Sequence, residues 1–184
     1  MTATDLVVIA GGRATRLGGV DKAMLRRPDG RTVLAGLLAA PVDGRRVVVG
    51  PVRDEPGVDV WAREAPPGGG PVAAIAAALP HVTAATVVVV AGDLPAGAAA
   101  VPALLAALVD HDVAALEAGG RVQWLLAVWR TAALRDAVAG LGDPVGAPVR
   151  ALYDGVDVVR VAEPEGAQWS GDLDTAADLR RLRD

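Results

Sequence analysis

Cysteine is absent from this 184-residue chain, and so is phenylalanine. Without cysteine the chain cannot form disulfides, thiolate metal sites or a thiol nucleophile. Aromatic residues make up 3% of the sequence while hydrophobic residues make up 52%, so the core has to be built from Val, Leu and Ala. The net charge of -4 excludes a globally basic surface, and we therefore expect no nucleic-acid partner.

Long apolar runs are missing too, because the longest ones fall far below the roughly 18 residues that a membrane-spanning helix needs. The first residues, MTATDLVVIAGG, lack the basic lead and the cleavage site of a secretory signal. We therefore expect a cytoplasmic protein with no membrane partner. The length suits one globular domain over 1–184, without internal repeats.

The chain alternates short β-branched runs with segments rich in Ala and Leu. The run VVVV at 87–90 is apolar throughout, which is typical of strands that helices cover on both faces. We therefore predict an α/β fold with a mostly parallel sheet. The predicted strands are Leu6–Ala10, Arg46–Gly50, Val58–Trp61, Thr86–Ala91, Val113–Glu117, Val122–Trp129 and Asp157–Val161. The predicted helices are Val33–Ala40, Pro71–Leu79, Val101–Val109, Thr131–Ala139, Val145–Tyr153 and Thr175–Arg183, and three of them have a start signal, at Thr32, Pro71 and Thr175.

A glycine-rich, basic stretch follows the first predicted strand, at the sheet edge where open α/β folds bind ligands. It contains Gly11, Gly12, Arg13, Arg16 and Lys22. Bare backbone amides approach an anion closely, and a mobile ammonium suits a phosphate that changes geometry. The pattern favours a nucleoside triphosphate, and the alternative is a tight turn with solvated basic residues. The glycine spacing fits neither the P-loop nor the dinucleotide fingerprint G-x-G-x-x-G.

Carboxylates follow two later strands. Asp93 comes after TVVVVAG and is placed to hold the Mg²⁺ that accompanies a triphosphate, although GDLP is also turn sequence. Asp172 and Asp174 would face the same side of an extended segment. One of them could contact the metal or the acceptor while the other caps the last helix, and the alternative is that both serve only as caps.

The stretch IAGGRATRLGGVDKAML at 9–25 resembles the signature of the molybdenum cofactor guanylyltransferases, a branch of the MobA-like nucleotidyltransferases. Ile9 and Leu17 stand where that family has Leu and Met, and Ala176 replaces a Pro near the C-terminus. The likeness continues in four segments: GGGPVAAIAAAL (68–79), VVVVAGDLP (87–95), QWLLAVWR (123–130) and WSGDLDTAADL (169–179).

The resemblance implies a three-layer, Rossmann-like fold and an enzyme that transfers GMP from GTP to molybdopterin, releasing pyrophosphate. It implies Mg²⁺ as cofactor, and transient contact with molybdenum cofactor biosynthesis proteins or molybdoenzymes. The metal ligands that it implies are Asp93 and Asp172, the acceptor-binding residues are Asp172 and Asp174, and the catalytic residues are Arg16, Lys22 and Asp93. The nucleotide-binding residues that it implies are Ile9, Ala10, Gly11, Gly12, Arg13, Lys22, Gly50, Glu64 and Asp93.

Gly50 and Glu64 fall where the resembling family often has Asn and Asp for reading the base. Gly50 offers no side chain, so recognition there would use backbone or another residue. Glu64 would accept from the N1–H and amino group of guanine, a paired donor edge that cytosine lacks, and the alternative is a solvated loop charge. Gly11 with Gly12, in place of Ala-Gly, also favours the guanine branch. CTP, another phosphorylated acceptor and a nucleotide-binding module without turnover remain open.

Two further groups have two interpretations each. The glycines at 68–70 serve either as a hinge or as a close approach for ligand to the next helix. The tryptophans either line an acceptor pocket, because a pterin is flat and stacks well, or belong to the core; they are Trp124, Trp129 and Trp169.

Overall fold

The computed structural model describes residues 3–11 and 19–182 of the chain, without the side chains of Ala176 and Arg181. In that range the strands are β1 (Thr4–Ile9), β2 (Arg46–Val49), β3 (Val60–Ala62), β4 (Thr86–Ala91), β5 (Val113–Ala118), β6 (Arg121–Arg130) and β7 (Val158–Ala162). The α-helices are α1 (Val33–Leu38), α2 (Pro71–Ala78), α3 (Val101–Ala107), α4 (Thr131–Gly140) and α5 (Ala176–Arg181). None of these helices combines the length and the apolar character that crossing a membrane requires.

The strands form one seven-stranded sheet in the order β3-β2-β1-β4-β6-β5-β7. The pairs β1–β2, β2–β3, β1–β4 and β5–β7 are parallel, whereas β6 runs antiparallel to both β4 and β5. The expected mostly parallel sheet is confirmed. Since β1 to β4 all point the same way, their carboxyl ends share one edge of the sheet.

The sheet lies between two layers of helices. Leu6 and Val8 of β1 pack into a core with residues of α1, α3 and α5. Val7, between them, packs into a second core with residues of α2 and α4. Strand side chains alternate between the two faces, so apolar residues are needed at every position of β1 that faces a helix layer. The three-layer architecture is confirmed.

Helix starts follow the local sequence. The hydroxyl of Thr32 accepts from the amide of Ala35 at 2.8 Å and caps α1. Pro71 occupies the first turn of α2, where its missing N–H costs nothing. Thr175 caps α5 and forms the reciprocal capping box with Asp178. These three predicted start signals are confirmed.

The predicted helix Val145–Tyr153 is wrong over its first half. Only Val149–Tyr153 is helical, and it is a 3-10 helix. Pro148 disfavours helical backbone at the residue before it, and Gly146 has φ +71°, so the helix cannot begin earlier. The third strand is also shifted, since it covers Val60–Ala62 instead of Val58–Trp61. The other predicted elements are present, with ends that differ from the predicted ones by at most two residues.

Candidate active site

A cleft of about 500 Å³ opens at the carboxyl ends of β1 to β4. This is where open α/β sheets place their ligands, because loops diverge from that edge. Its walls come from the ends of β1 and β4, from the segment after β3, from the start of α2 and from Leu125 on β6. The predicted site residues among those lining it are Ile9, Ala10, Gly11, Lys22, Glu64 and Asp93.

Lys22 lies between two carboxylates. Its ammonium Nζ is 3.1 Å from Oδ2 of Asp93, which follows β4, and 2.5 Å from Oδ1 of Asp174, which precedes α5. These residues are 71 and 152 positions away from Lys22 in sequence, so the fold brings together three groups that the chain keeps far apart. The prediction that Lys22 and Asp93 share one cleft at the carboxyl edge of the sheet is confirmed.

The segment that carries Asp172 and Asp174 is anchored on both sides. Leu173, between them, is buried in the core beneath, so the two carboxylates on either side stay at the surface. The capping box of Thr175 follows directly. Upstream, the carboxylate of Glu163 accepts from the amide of Ser170 at 2.8 Å and from its hydroxyl at 2.9 Å. Neither Asp172 nor Asp174 lines the cleft itself, but Asp174 reaches it from this anchored backbone through its contact with Lys22.

Negative charge is in excess in the cluster formed by Lys22, Asp93, Asp172 and Asp174. Burial disfavours the charge on Lys22, but its hydrogen bonds and attraction to Asp174 and Asp93 outweigh that effect and raise the pKa of the ammonium. For Asp172, partial burial and the negative charges of Asp174, Asp93 and Asp178 raise the pKa of the carboxyl, and the attraction to Lys22 offsets this only in part. One ammonium thus faces a surplus of carboxylates.

These side chains fit a magnesium ion. Asp93, Asp172 and Asp174 offer the carboxylate oxygens that Mg²⁺ prefers, and the raised pKa of Asp172 marks negative charge that a cation would relieve. Within the described ranges, no group of three or more acidic or His side chains is arranged to hold a metal. Magnesium with a triphosphate needs only one or two protein carboxylates, because phosphate and water supply the remaining ligands.

Glu64, two residues after β3, is 7% exposed and lies inside the cleft. One oxygen, Oε1, accepts from the amide of Gly68 at 3.0 Å. The other, Oε2, is buried without a hydrogen-bond partner among the described residues. A solvated loop charge is therefore the wrong interpretation of Glu64. A buried acceptor without a partner is costly, and a ligand with N–H donors would satisfy it.

Gly50 and Gly92 let the strand ends pack against each other. A Cβ on Gly50 would lie 2.8 Å from the carbonyl oxygen of Ala10, and a Cβ on Gly92 would lie 3.0 Å from that of Ile9. The distance at Gly50 excludes a side chain, and the distance at Gly92 would require the neighbouring strand end to shift. Gly50 is not among the residues that line the cleft, but its backbone supports Ala10 and Gly11, which are. The structure thus explains the missing side chain at Gly50 by close packing.

The glycines at 68–70 form a shaped turn before α2. Gly68 binds Glu64 through its amide, and the carbonyl of Gly69 accepts from the amide of Gly146 at 2.7 Å. Gly68 and Gly70 have φ values of +87° and +94°, which favour glycine, and both line the cleft. These contacts favour a ligand-facing turn over a free hinge.

No tryptophan in the described part of the chain lines the cleft. Trp129 is buried in the core, Trp124 packs on Tyr153 with ring centroids 4.5 Å apart, and Trp169 packs against the core on the other face. The core interpretation of the tryptophans is confirmed. The predictions for Gly12, Arg13 and Arg16 lie outside the described residues.

Sequence reasoning missed Arg53, which lies four residues after β2. Its guanidinium makes two hydrogen bonds with the carboxylate of Asp21, at 2.6 Å and 3.0 Å. It also donates to the carbonyl of Ala10 at 2.8 Å. The position of Arg53 after a strand, at the ligand-binding edge of the sheet, would have indicated a site residue. No sequence pattern indicates that it pairs with Asp21.

Residues 6–161 match the family model of the MobA-like NTP transferase domain. No curated protein sequence matches the chain. Among solved structures, molybdopterin-guanine dinucleotide biosynthesis protein A from Archaeoglobus fulgidus is 20% identical at a TM-score of 0.69, with 97% of this chain and 96% of that chain covered.

Two more solved structures share the nucleotidyltransferase fold. A nucleotidyl transferase from a Methanothermobacter species is 24% identical at a TM-score of 0.77, covering 99% of this chain and 96% of that one. The 2-C-methyl-D-erythritol 4-phosphate cytidylyltransferase from Thermus thermophilus is 21% identical at a TM-score of 0.72, covering 100% of this chain and 98% of that one. At these identities the structural likeness establishes the fold and leaves the nucleotide and the acceptor open.

Proposed function

The chain belongs to the MobA-like NTP transferase family and is a nucleotidyltransferase, and on that premise we propose that it transfers GMP from GTP to molybdopterin. The products are molybdopterin guanine dinucleotide and pyrophosphate. The observation that carries the proposal is the contact of 3.1 Å between Lys22 and Asp93 inside the strand-end cleft. We assign Lys22 as the cation that binds phosphate and Asp93, beside it, as the carboxylate that binds the metal.

The size and the electrostatics of the cleft support a triphosphate. A volume of about 500 Å³ lies in the range of small-molecule sites. Glycine backbone lines the end of β1, Lys22 supplies positive charge, and Asp93 is the carboxylate for the accompanying Mg²⁺. Arg13 and Arg16, in the same glycine-rich stretch, are proposed as further phosphate contacts.

Glu64 supports guanine as the base. Its unpartnered Oε2 accepts one N–H of the guanine edge, and Oε1 has a second lone pair for the neighbouring N–H. Cytosine presents an amino group next to an acceptor nitrogen, which a carboxylate repels. Because the fold is shared with a cytidylyltransferase, we rest the choice of GTP on Glu64 and not on the overall structure.

Molybdopterin is proposed as acceptor on the strength of the family and of the name of the Archaeoglobus fulgidus protein. Asp174 contacts Lys22 at the cleft and Asp172 lies two residues before it, and we assign both to the acceptor side. Asp93, with Asp172, would hold Mg²⁺, which when bound neutralises phosphate charge.

The reaction needs no side-chain nucleophile. An oxygen of the terminal phosphate on molybdopterin attacks the α-phosphorus of GTP, forming a new phosphorus–oxygen bond. The bond between the α-phosphorus and the oxygen that bridges to the β-phosphate breaks, and pyrophosphate leaves with the electron pair. Lys22 and Arg16 stabilise charge on the leaving pyrophosphate. The protein contributes alignment and charge stabilisation, as is usual for phosphoryl-type transfer.

The direct test is incubation of the chain with Mg²⁺, molybdopterin and one of four nucleoside triphosphates labelled at the α-phosphate. We expect a labelled dinucleotide with GTP and at least about tenfold less with CTP, the equivalent of about 1.4 kcal/mol. A dinucleotide formed best from CTP would contradict the base assignment. Nucleotide binding without any product would favour a module without turnover.

A further inference from the structure

Arg53 is a nearly buried cation that the proposed chemistry does not use. Its side chain is 10% exposed. Nε and Nη2 donate to the two carboxylate oxygens of Asp21, Nη2 also donates to the carbonyl of Ala10, and Nη1 donates to the carbonyl of Pro51 at 3.1 Å. The guanidinium is therefore engaged on each of its three nitrogens by the protein itself.

Two of these acceptors, Ala10 and Asp21, lie on either side of residues 11–20. Ala10 directly follows β1 and precedes residues 11–20, and Asp21 directly follows them. One guanidinium thus holds the residue before the stretch and the residue after it. A bidentate pair between Arg and a carboxylate fixes orientation as well as distance, because both groups are planar.

Asp21 connects Arg53 to Lys22. The carbonyl of Asp21 accepts from the amide of Met24 at 3.1 Å and closes the 3-10 turn that begins at Lys22. The ammonium of that same Lys22 lies 3.1 Å from Asp93. The side chain of Asp21 therefore fixes the backbone from which Lys22 reaches Asp93 in the cleft.

We propose that Arg53 is a positioning residue for the triphosphate. By holding Ala10 and Asp21 it fixes these two residues relative to each other and directs Lys22 at the phosphates. Its own charge is matched by Asp21, so it acts through that residue and not by contact with ligand. The inference rests on the proposed function, because the triphosphate is the ligand whose binding depends on the positions of Ala10 and Asp21.

The test uses two variants. Arg53→Lys keeps the charge but loses the two parallel hydrogen bonds of the guanidinium, and Asp21→Asn keeps the size but loses the charge. Equilibrium affinity is measured for GTP by calorimetry and for GMP by competition, with the fold checked by circular dichroism. We expect the Kd for GTP to rise about tenfold, the lower end of what losing an outer-shell partner costs in metal sites. The Kd for GMP, which lacks the β- and γ-phosphates, should change less than about twofold. Because the two residues act as one unit, the double variant should be no weaker than the weaker single variant.

The chain offers a matched control in Arg31 and Asp29. Nε and Nη2 of Arg31 both donate to Oδ2 of Asp29, at 3.1 Å and 3.0 Å, in an exposed turn before α1. Arg31→Lys and Asp29→Asn remove an arginine–aspartate pair with two hydrogen bonds away from the cleft. Both should leave the GTP and the GMP affinities unchanged.

The outcomes separate the inference from the proposed function. A wild-type chain that bound no triphosphate would overturn both. Wild-type binding of GTP with an unchanged Kd in Arg53→Lys and Asp21→Asn would overturn the inference alone. An equal loss of GTP and GMP binding would also overturn it, since that result indicates a general disturbance of the fold and not a phosphate-specific one.

Discussion

At the scale of single residues, the chemistry concentrates on a few charged groups with incomplete or shared partners. Lys22 bridges Asp93 and Asp174, and Glu64 keeps a buried oxygen without a partner among the described residues. The sequence predicted Lys22 and Asp93 from their strand ends and Glu64 from its family position. It did not predict the pairing of Arg53 with Asp21, because a contact between loops 32 residues apart leaves no local pattern.

Glu64→Gln tests base recognition. The variant keeps the size of the side chain and replaces one carboxylate oxygen with an amide nitrogen, which donates and cannot accept. We expect the affinity for GTP to fall about tenfold or more, since hydrogen bonds to charged groups contribute about 1.5–3 kcal/mol. Calorimetry with GTP and CTP measures the loss of preference, and Glu165→Gln on an exposed loop is the control. An unchanged preference would contradict the role of Glu64.

Asp172→Asn tests the excess of negative charge at the cleft. Burial and the neighbouring carboxylates raise the pKa of Asp172 above its ordinary 3.8, so protons bind the folded state more tightly. Ionisation therefore costs stability, and this cost is present once the pH has risen through the folded-state pKa. In metal-free buffer we expect the variant to melt at a higher temperature than the wild type at pH 7. The difference should vanish as the pH falls below about 3.8, where both states are protonated.

Asp174→Asn is the matched control for that experiment. Oδ1 of Asp174 lies 2.5 Å from Nζ of Lys22, so the ammonium compensates the charge of this carboxylate. We expect no rise in melting temperature at pH 7 for this variant. A similar rise for both variants would contradict the assignment of the excess charge to Asp172.

At the scale of elements, the site depends on how strands and helices begin and end. β1 and β4 end side by side, and close packing excludes a side chain at Gly50 and leaves little space for one at Gly92. Apolar strands and helix starts could be predicted because their signals are local. The predicted helix Val145–Tyr153 begins too early because the apolar composition of the segment carries no information on where Pro148 interrupts it.

Thr175→Ala tests the element that presents Asp172 and Asp174. The hydroxyl of Thr175 accepts from the amide of Asp178 at 3.2 Å and donates to its carboxylate at 2.7 Å, so the variant loses the capping box. We expect a loss of about 1 kcal/mol, or about 2–4 °C in melting temperature for a chain of this size. Thr83→Ala is the control, because Thr83 is exposed and only its backbone amide binds Asp5. Equal melting temperatures for both variants would contradict the capping role.

At the scale of the whole molecule, the two ends of the parallel strands differ in function. The carboxyl edge carries the cleft, while the amino edge is closed by Asp5, which is 1% exposed. Its carboxylate accepts from the amides of Arg45, Thr83 and Ala84 at 2.7–2.9 Å and so joins two loops to β1. The fold class was predictable from continuous apolar strands. This buried carboxylate was not, because its three partners lie about 40 and 80 residues away.

Asp5→Ala should therefore destabilise the chain without touching the cleft. Three partly or fully buried amides would lose their acceptor, and leaving buried donors unsatisfied costs about 1–3 kcal/mol each. We expect a loss of about 3 kcal/mol, a drop of about 6–12 °C in melting temperature. Asp59→Ala, which removes one exposed contact to the amide of Arg46, should cost below about 1 kcal/mol. A drop no larger than that of Asp59→Ala would contradict the role of Asp5.

The rate of pyrophosphate release from GTP with Mg²⁺ and molybdopterin, measured for wild type, Asp93→Ala and Lys22→Ala, tests the account most directly. With circular dichroism spectra unchanged, we expect both variants to lose about 100-fold or more in rate, since each removes charge stabilisation at the reacting phosphates. Release by Asp93→Ala at the wild-type rate would contradict the account.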